Sequence, residues 1–117
     1  MLRLLSCGII VLMVPVHGVQ AQKALPPETR NDIRCFVSAI SALGGPSTAN
    51  QSVALTAFYY LGRIDGRDPE LDLETAIARE AKQMTQADMR EESKRCGNTL
   101  TARGAVISAI GARLSDQ

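Results

Sequence analysis

The sequence predicts a small all-α domain, a bundle of four to five short helices stapled by one disulfide. Three observations predict it. Apolar residues recur at gaps of three and four through most of the chain. The periodic segments are separated by Gly, Pro and capping residues. Two cysteines, Cys35 and Cys96, lie far apart in a chain that begins like an exported protein.

The first residues read as a leader. Arg3 supplies a short positive region, and an apolar run follows from Leu4 to Val16. That run is too short to span a bilayer. Val19-Gln20-Ala21 places small residues at the −3 and −1 positions of a signal-peptidase site, so residues 1–21 are expected to be a cleaved secretory signal peptide and the protein to be periplasmic. A retained membrane anchor is the rival reading. "LLSC" (4–7) resembles part of a lipobox, but Cys7 lacks the apolar run that should precede it.

Cleavage would change the chemistry available. His17, the one histidine, leaves with the leader, and so does Cys7. Of thirteen basic residues only Arg3 is lost, which leaves twelve against twelve acids. A formally neutral chain argues against nucleic-acid binding and against a polybasic membrane patch. The remaining 96 residues make one domain, small enough for its core to be marginal. A Cys35–Cys96 bond would close a loop of roughly 60 residues, worth roughly 4 kcal/mol in the chain-entropy model. That is comparable to the whole net stability of a small domain. A catalytic thiol is not expected, because it would need a histidine-like base.

Residues 22–27, "QKALPP", read as a tail, with Pro26 and Pro27 at a helix entry where proline is tolerated. The helical domain is expected over 28–115. In its first helix Ile33, Phe36, Val37, Ile40 and Leu43 form one face, and Gly44 to Pro46 stop it. "STAN" (47–50) is turn and cap chemistry. Residues 51–62 carry no charge. Val53, Ala57, Tyr60, Leu61 and Ile64 make one stripe, with Leu55, Phe58 and Tyr59 off it, so a buried central helix is expected. A strand through 57–61 is the alternative, disfavoured by length and lack of alternation. Gly66 is expected to end this helix in the left-handed conformation.

A third helix is expected over 72–84, with Asp72 as N-cap and Leu73, Ile77, Ala81 and Met84 as its apolar face. Arg79 and Glu80 should point outward. A fourth helix should start at Thr85, with Asp88 completing a near capping box, and end at Gly97 behind Lys94 and Arg95. A final helix is expected over 99–114. There Leu100, Ile107 and Leu114 lie seven apart, as do Gly104 and Gly111, a spacing that lets another helix pack closely.

"FYYLGRIDGRDPELDLE" (58–74) is the most distinctive run, with aromatics, glycines and then a cluster of acids. A calcium loop of the EF-hand type fails in either register: from Asp65 its third and fifth positions are Arg67 and Pro69, and from Asp68 its sixth is Leu73. Zinc lacks histidine ligands, and the cysteines are better used in a disulfide. Asp65, Asp68, Glu70, Asp72 and Glu74 could do acid–base work only if one were desolvated, whereas Arg63 and Arg67 should keep them ionised. No catalytic residue, cofactor or metal is therefore expected. The acids read as caps at the corner between helices. Phe58, Tyr59 and Tyr60 either fill the core, the more ordinary use of such residues, or present a binding surface to a partner.

"CFVSAI" (35–40), "FYYLGRIDG" (58–66) and "SKRCGNTL" (93–100) resemble the HdeA-like periplasmic proteins, acid-stress chaperones built from disulfide-stapled helices. The chain is also similar to the Tai-like immunity proteins that neutralise secreted cell-wall amidases, and to a family of small exported alphaproteobacterial proteins. The resemblance implies a non-enzymatic binding or chaperone-like protein with a protein partner or client. The alternatives are an inhibitor or immunity protein that blocks an exported enzyme, and a small hydrolase using the 65–74 acids.

Overall fold

The computed structural model describes residues 24–44 and 50–116. The expected leader and most of "STAN" lie outside them. The described residues form four helices and no strand: α1 Pro27–Leu43, α2 Asn50–Arg67, α3 Leu73–Gln83 and α4 Gln86–Ser115. The all-α bundle stapled by Cys35–Cys96 is what the sequence predicts.

Helix α1 is the centre of the bundle, with α2, α3 and α4 each packed against it. Pro27 occupies its first turn, where the missing N–H is no loss. Its Ile33 and Val37 meet Ile64 of α2, Ala76 of α3 and Met84 in one buried cluster. Phe36, Leu71, Leu73, Ile77 and Met89 close over that cluster. A second, smaller core holds Cys35, Tyr60 and Cys96, with Phe36 bridging the two.

Charge pairs mark each of the three packings. Arg30 of α1 donates to Glu80 of α3 at 3.0 Å. Asp32 accepts from Arg63 and Arg67 of α2 at 3.1 and 2.7 Å. Arg34 meets Glu92 of α4 at 3.1 Å. Three alternate residues of one helix thus tie it to three different neighbours.

Several expectations need correction. Helix α2 is not the buried centre: it buries only the Ala57, Tyr60 and Ile64 stripe, and Phe58 is 70% exposed. Lack of charge marks a helix as apolar, but only neighbours bury it. Glu80 does not point outward; it is buried against Arg30. Gly66 is not left-handed, since no described glycine has positive φ, and α2 runs on to Arg67. The two last helices expected, 85–97 and 99–114, are one helix of 30 residues running through Gly97. A glycine lowers helix propensity, but here no proline or competing cap accompanies it to break the backbone ladder.

The caps themselves follow expectation. Asp72 accepts from the Thr75 N–H at 3.1 Å. Thr85 and Asp88 form a full capping box, Asp88 N–H to Thr85 Oγ1 at 3.1 Å and Thr85 N–H to Asp88 Oδ2 at 2.7 Å. Between α2 and α3, Asp68-Pro69-Glu70-Leu71 make one turn, closed by the Leu71 N–H donating to the Asp68 carbonyl at 3.1 Å.

Candidate binding surface

The three aromatics of "FYY" separate according to helix geometry. Successive residues differ by about 100° around the axis. Tyr60 therefore faces α1 and α4, Tyr59 sits at the margin, and Phe58 faces away. Tyr60 is buried in the small core and its hydroxyl donates to the Cys96 carbonyl at 3.3 Å. Tyr60 is thus not part of an exposed binding surface. Burial pushes its phenol above the usual value of 10.0, outweighing the hydrogen bond to Thr99 and the charges of Arg63 and Arg95, so it stays a neutral donor.

Tyr59 is half-buried and stacks edge-on against Tyr60, with ring centroids 5.0 Å apart. The Arg63 guanidinium lies 5.6 Å from its ring centre and donates to its hydroxyl at 3.4 Å. That hydrogen bond, helped by the Asp32 carboxylate, raises the Arg63 pKa, and the side chain remains a cation. Arg63 thus seals the inner flank of α2. The outer face is different. Leu55 and Phe58 lie one turn apart, both well exposed, with Gly62 a turn further on. None of these carries a charge.

The Cys35–Cys96 bond spans 5.7 Å between Cα atoms, joining the middle of α1 to the middle of α4. Both cysteines are fully buried. The Arg95 guanidinium covers Cys35 Sγ at 3.3 Å, and Glu92 approaches Cys96 Sγ at 3.8 Å. Cys35, Glu92 and Cys96 are the one described group of three potential ligand residues that come together. The two sulfurs are bonded to each other and offer no thiolate, so the group is not a metal centre.

The acids of 65–74 do not converge. Asp72 is committed to its cap, and Asp65, Glu70 and Glu74 are exposed around the corner. Asp32 and Glu80 are the buried carboxylates, and both are held by arginines. Sequence reasoning missed both. The signal for Asp32 was present: Arg63 and Arg67 lie four apart on α2, on one face, and no acid of α2 pairs with them.

Beyond residue 100, α4 leaves the bundle. Every residue from Thr101 to Asp116 is exposed, Val106, Ile107, Ile110 and Leu114 among them. No described helix is long and apolar enough to cross a membrane. No protein-family model, curated protein or solved structure matches the chain.

Proposed function

We propose that this is an exported, non-enzymatic binding protein of the periplasm that holds protein clients in a chaperone-like manner, with the outer face of α2 as its client surface. The observation that carries the reading is the pair Leu55 and Phe58, large apolar side chains left exposed in the charge-free stretch 51–62 of α2. Large apolar side chains exposed one turn apart on one helix face are the seed of an association surface. Aromatic side chains in particular supply much contact area at low entropic cost. The buried disulfide suits an oxidising compartment.

The mode of client capture is sharpened by where the aromatics lie. Acid loosening is not needed to uncover Phe58, which the folded protein already presents. Capture by the folded state, with the Cys35–Cys96 staple limiting expansion at low pH, is the simplest use of this architecture.

The test is light scattering from an aggregating client, one arm at pH 7 with a heat-labile protein and one near pH 2.5 with an acid-labile one. The expected result is suppression at pH 7 that Leu55→Ser and Phe58→Ser together weaken several-fold. Suppression only in acid, untouched by that double variant, would move client binding away from α2. Absence of suppression in both arms would remove the chaperone reading. Saturable one-to-one binding to a single exported enzyme would favour the inhibitor or immunity class instead.

A further inference from the structure

We infer that the protruding half of α4 is a self-association element, pairing antiparallel with the same segment of a second copy. This goes beyond client binding and uses a different surface. Residues 101–115 extend about 22 Å past the bundle, and every one of them is exposed among the described residues. The bundle-anchored half of α4 nucleates this segment, but most helical stability in proteins comes from tertiary packing, which the described bundle does not give to residues beyond 100. The segment also contains Gly104 and Gly111, each a cost to helix formation. Such a segment holds its helix through packing on a partner.

The pattern specifies that partner. Written as heptads, Leu100, Ile107 and Leu114 fall at a, Arg103 and Ile110 at d, Gly104 and Gly111 at e, and Val106 and Arg113 at g. Ile107 is 69% and Leu114 64% exposed, so the stripe is open to pair. In a parallel pair, the two Arg103 side chains would face each other across the seam. In an antiparallel pair, d positions meet a positions. Ile107 then packs on Ile110 of the second copy, and Ile110 on Ile107. Arg103 lies against Leu114.

The flanks fit as well. The e positions set Gly104 beside Gly111, letting the backbones approach closely, and the g positions set Val106 beside the aliphatic stem of Arg113. Helical side chains lean toward their own N-terminus. Arg103 therefore leans toward the C-terminal turn of the antiparallel neighbour, where the helix dipole and Asp116 are negative. In this register Ser115 of one copy reaches the level of residue 102 of the other, so the pair uses the free length of α4 and stops where the bundle begins. A face of about 22 Å by 10 Å on each copy, about 440 Å² for the pair, is smaller than stable specific interfaces, so the dimer is a weak, rapidly reversible one.

The test is sedimentation of the protein, its Cys35–Cys96 bond intact, over a concentration series. A monomer–dimer equilibrium is expected, and Ile107→Glu should raise its dissociation constant by about 100-fold or more, because each new carboxylate is desolvated against Ile110 of the other copy and the two like charges lie in adjacent layers of the seam. Ile107 touches no core residue, so far-UV circular dichroism and thiol titration should show the bundle and its disulfide unchanged. Phe58→Ser should leave the dimer intact, which keeps this result separate from that of the client assay. Under mild oxidation, a mixture of Arg103→Cys and Leu114→Cys proteins should cross-link to each other. Leu114→Cys alone should not, since its two copies lie about 16 Å apart along the axis. A monomer up to about 1 mM, a dimer indifferent to Ile107→Glu, or efficient self-cross-linking of Leu114→Cys would each overturn the inference. So would a monomer whose α4 binds zwitterionic lipid vesicles, which would assign the stripe to a membrane surface.

Discussion

Arg67 Nη1 donates to Asp32 Oδ2 across 2.7 Å, and the carboxylate that accepts it is almost wholly buried. Arg63 Nε shares the same oxygen at 3.1 Å. One acid of α1 therefore anchors two turns of α2, four residues apart on one face. The arrangement explains why α2 can leave Leu55 and Phe58 outside: its orientation is fixed by a charge pair as well as by the Ala57–Tyr60–Ile64 stripe.

Replacing Asp32 should cost more than replacing either arginine. Asp32→Ala leaves two guanidinium groups facing a desolvated pocket, whereas Arg67→Ala leaves Asp32 still paired with Arg63. Breaking a fully buried pair costs several kcal/mol, but both arginines are about one-third exposed, so about 2 kcal/mol is expected for Asp32→Ala. Arg67→Ala should cost about half that. Urea midpoints of the three proteins measure the difference. An Asp32→Ala protein within about 0.5 kcal/mol of its parent would show that the pair is incidental.

The helix caps set an acid limb to the stability curve. Two hydrogen bonds from Thr75, the hydroxyl's first and then the backbone N–H, hold the Asp72 carboxyl below its usual 3.8. The Thr85 N–H, followed by its hydroxyl, does the same for Asp88. A depressed folded-state pKa contributes stability that is present above the unfolded value and lost as pH falls through the folded one. The window therefore opens below about pH 4. Asp72→Asn and Asp88→Asn should be less stable than the parent at pH 7, with the gap closing as pH falls below 3.8. Thermal melts from pH 7 to 2 follow this directly. A gap that stays constant down to pH 2 would mean the charge on these caps contributes nothing.

What the sequence made legible is whatever rests on local chemistry. Asp72, Thr85 and Asp88 act as caps because their side-chain oxygens serve N–H groups three residues away, and no tertiary information is needed to see it. The Cys35–Cys96 pairing needed only that two cysteines remain. Burial of Phe58, Tyr59 and Tyr60 depended on which neighbour takes which face of α2, and the hydrophobic stripe was too diffuse to decide that. The centrality of α1 was hidden for the same reason. It carries Arg30, Asp32 and Arg34, which look like surface charges until partners from α3, α2 and α4 are supplied.

The glycines of α2 and α4 supply the last test, because sequence and structure disagree about them. If Gly66 ended α2 in a left-handed conformation, and if Gly97 ended a helix, alanine at either site would be strained or would extend a helix past its stop. In the structure both sit in right-handed helix with no positive φ, and a Cβ at either position would meet nothing within 4 Å. Alanine should then act mainly on the unfolded chain, reducing the entropy lost on folding, and should stabilise by about 0.5–1 kcal/mol at each site. Gly97→Ala is the sharper of the two. It lies one residue after Cys96, in the stretch that joins the disulfide-anchored part of α4 to the protruding part, so a break there would decouple the two. A higher denaturation midpoint for Gly97→Ala, with increased helical ellipticity, is the expected outcome. A destabilised Gly97→Ala protein would mean that α4 is interrupted at this point, and the rigid projection of Ile107 and Leu114 away from the bundle would fall with it.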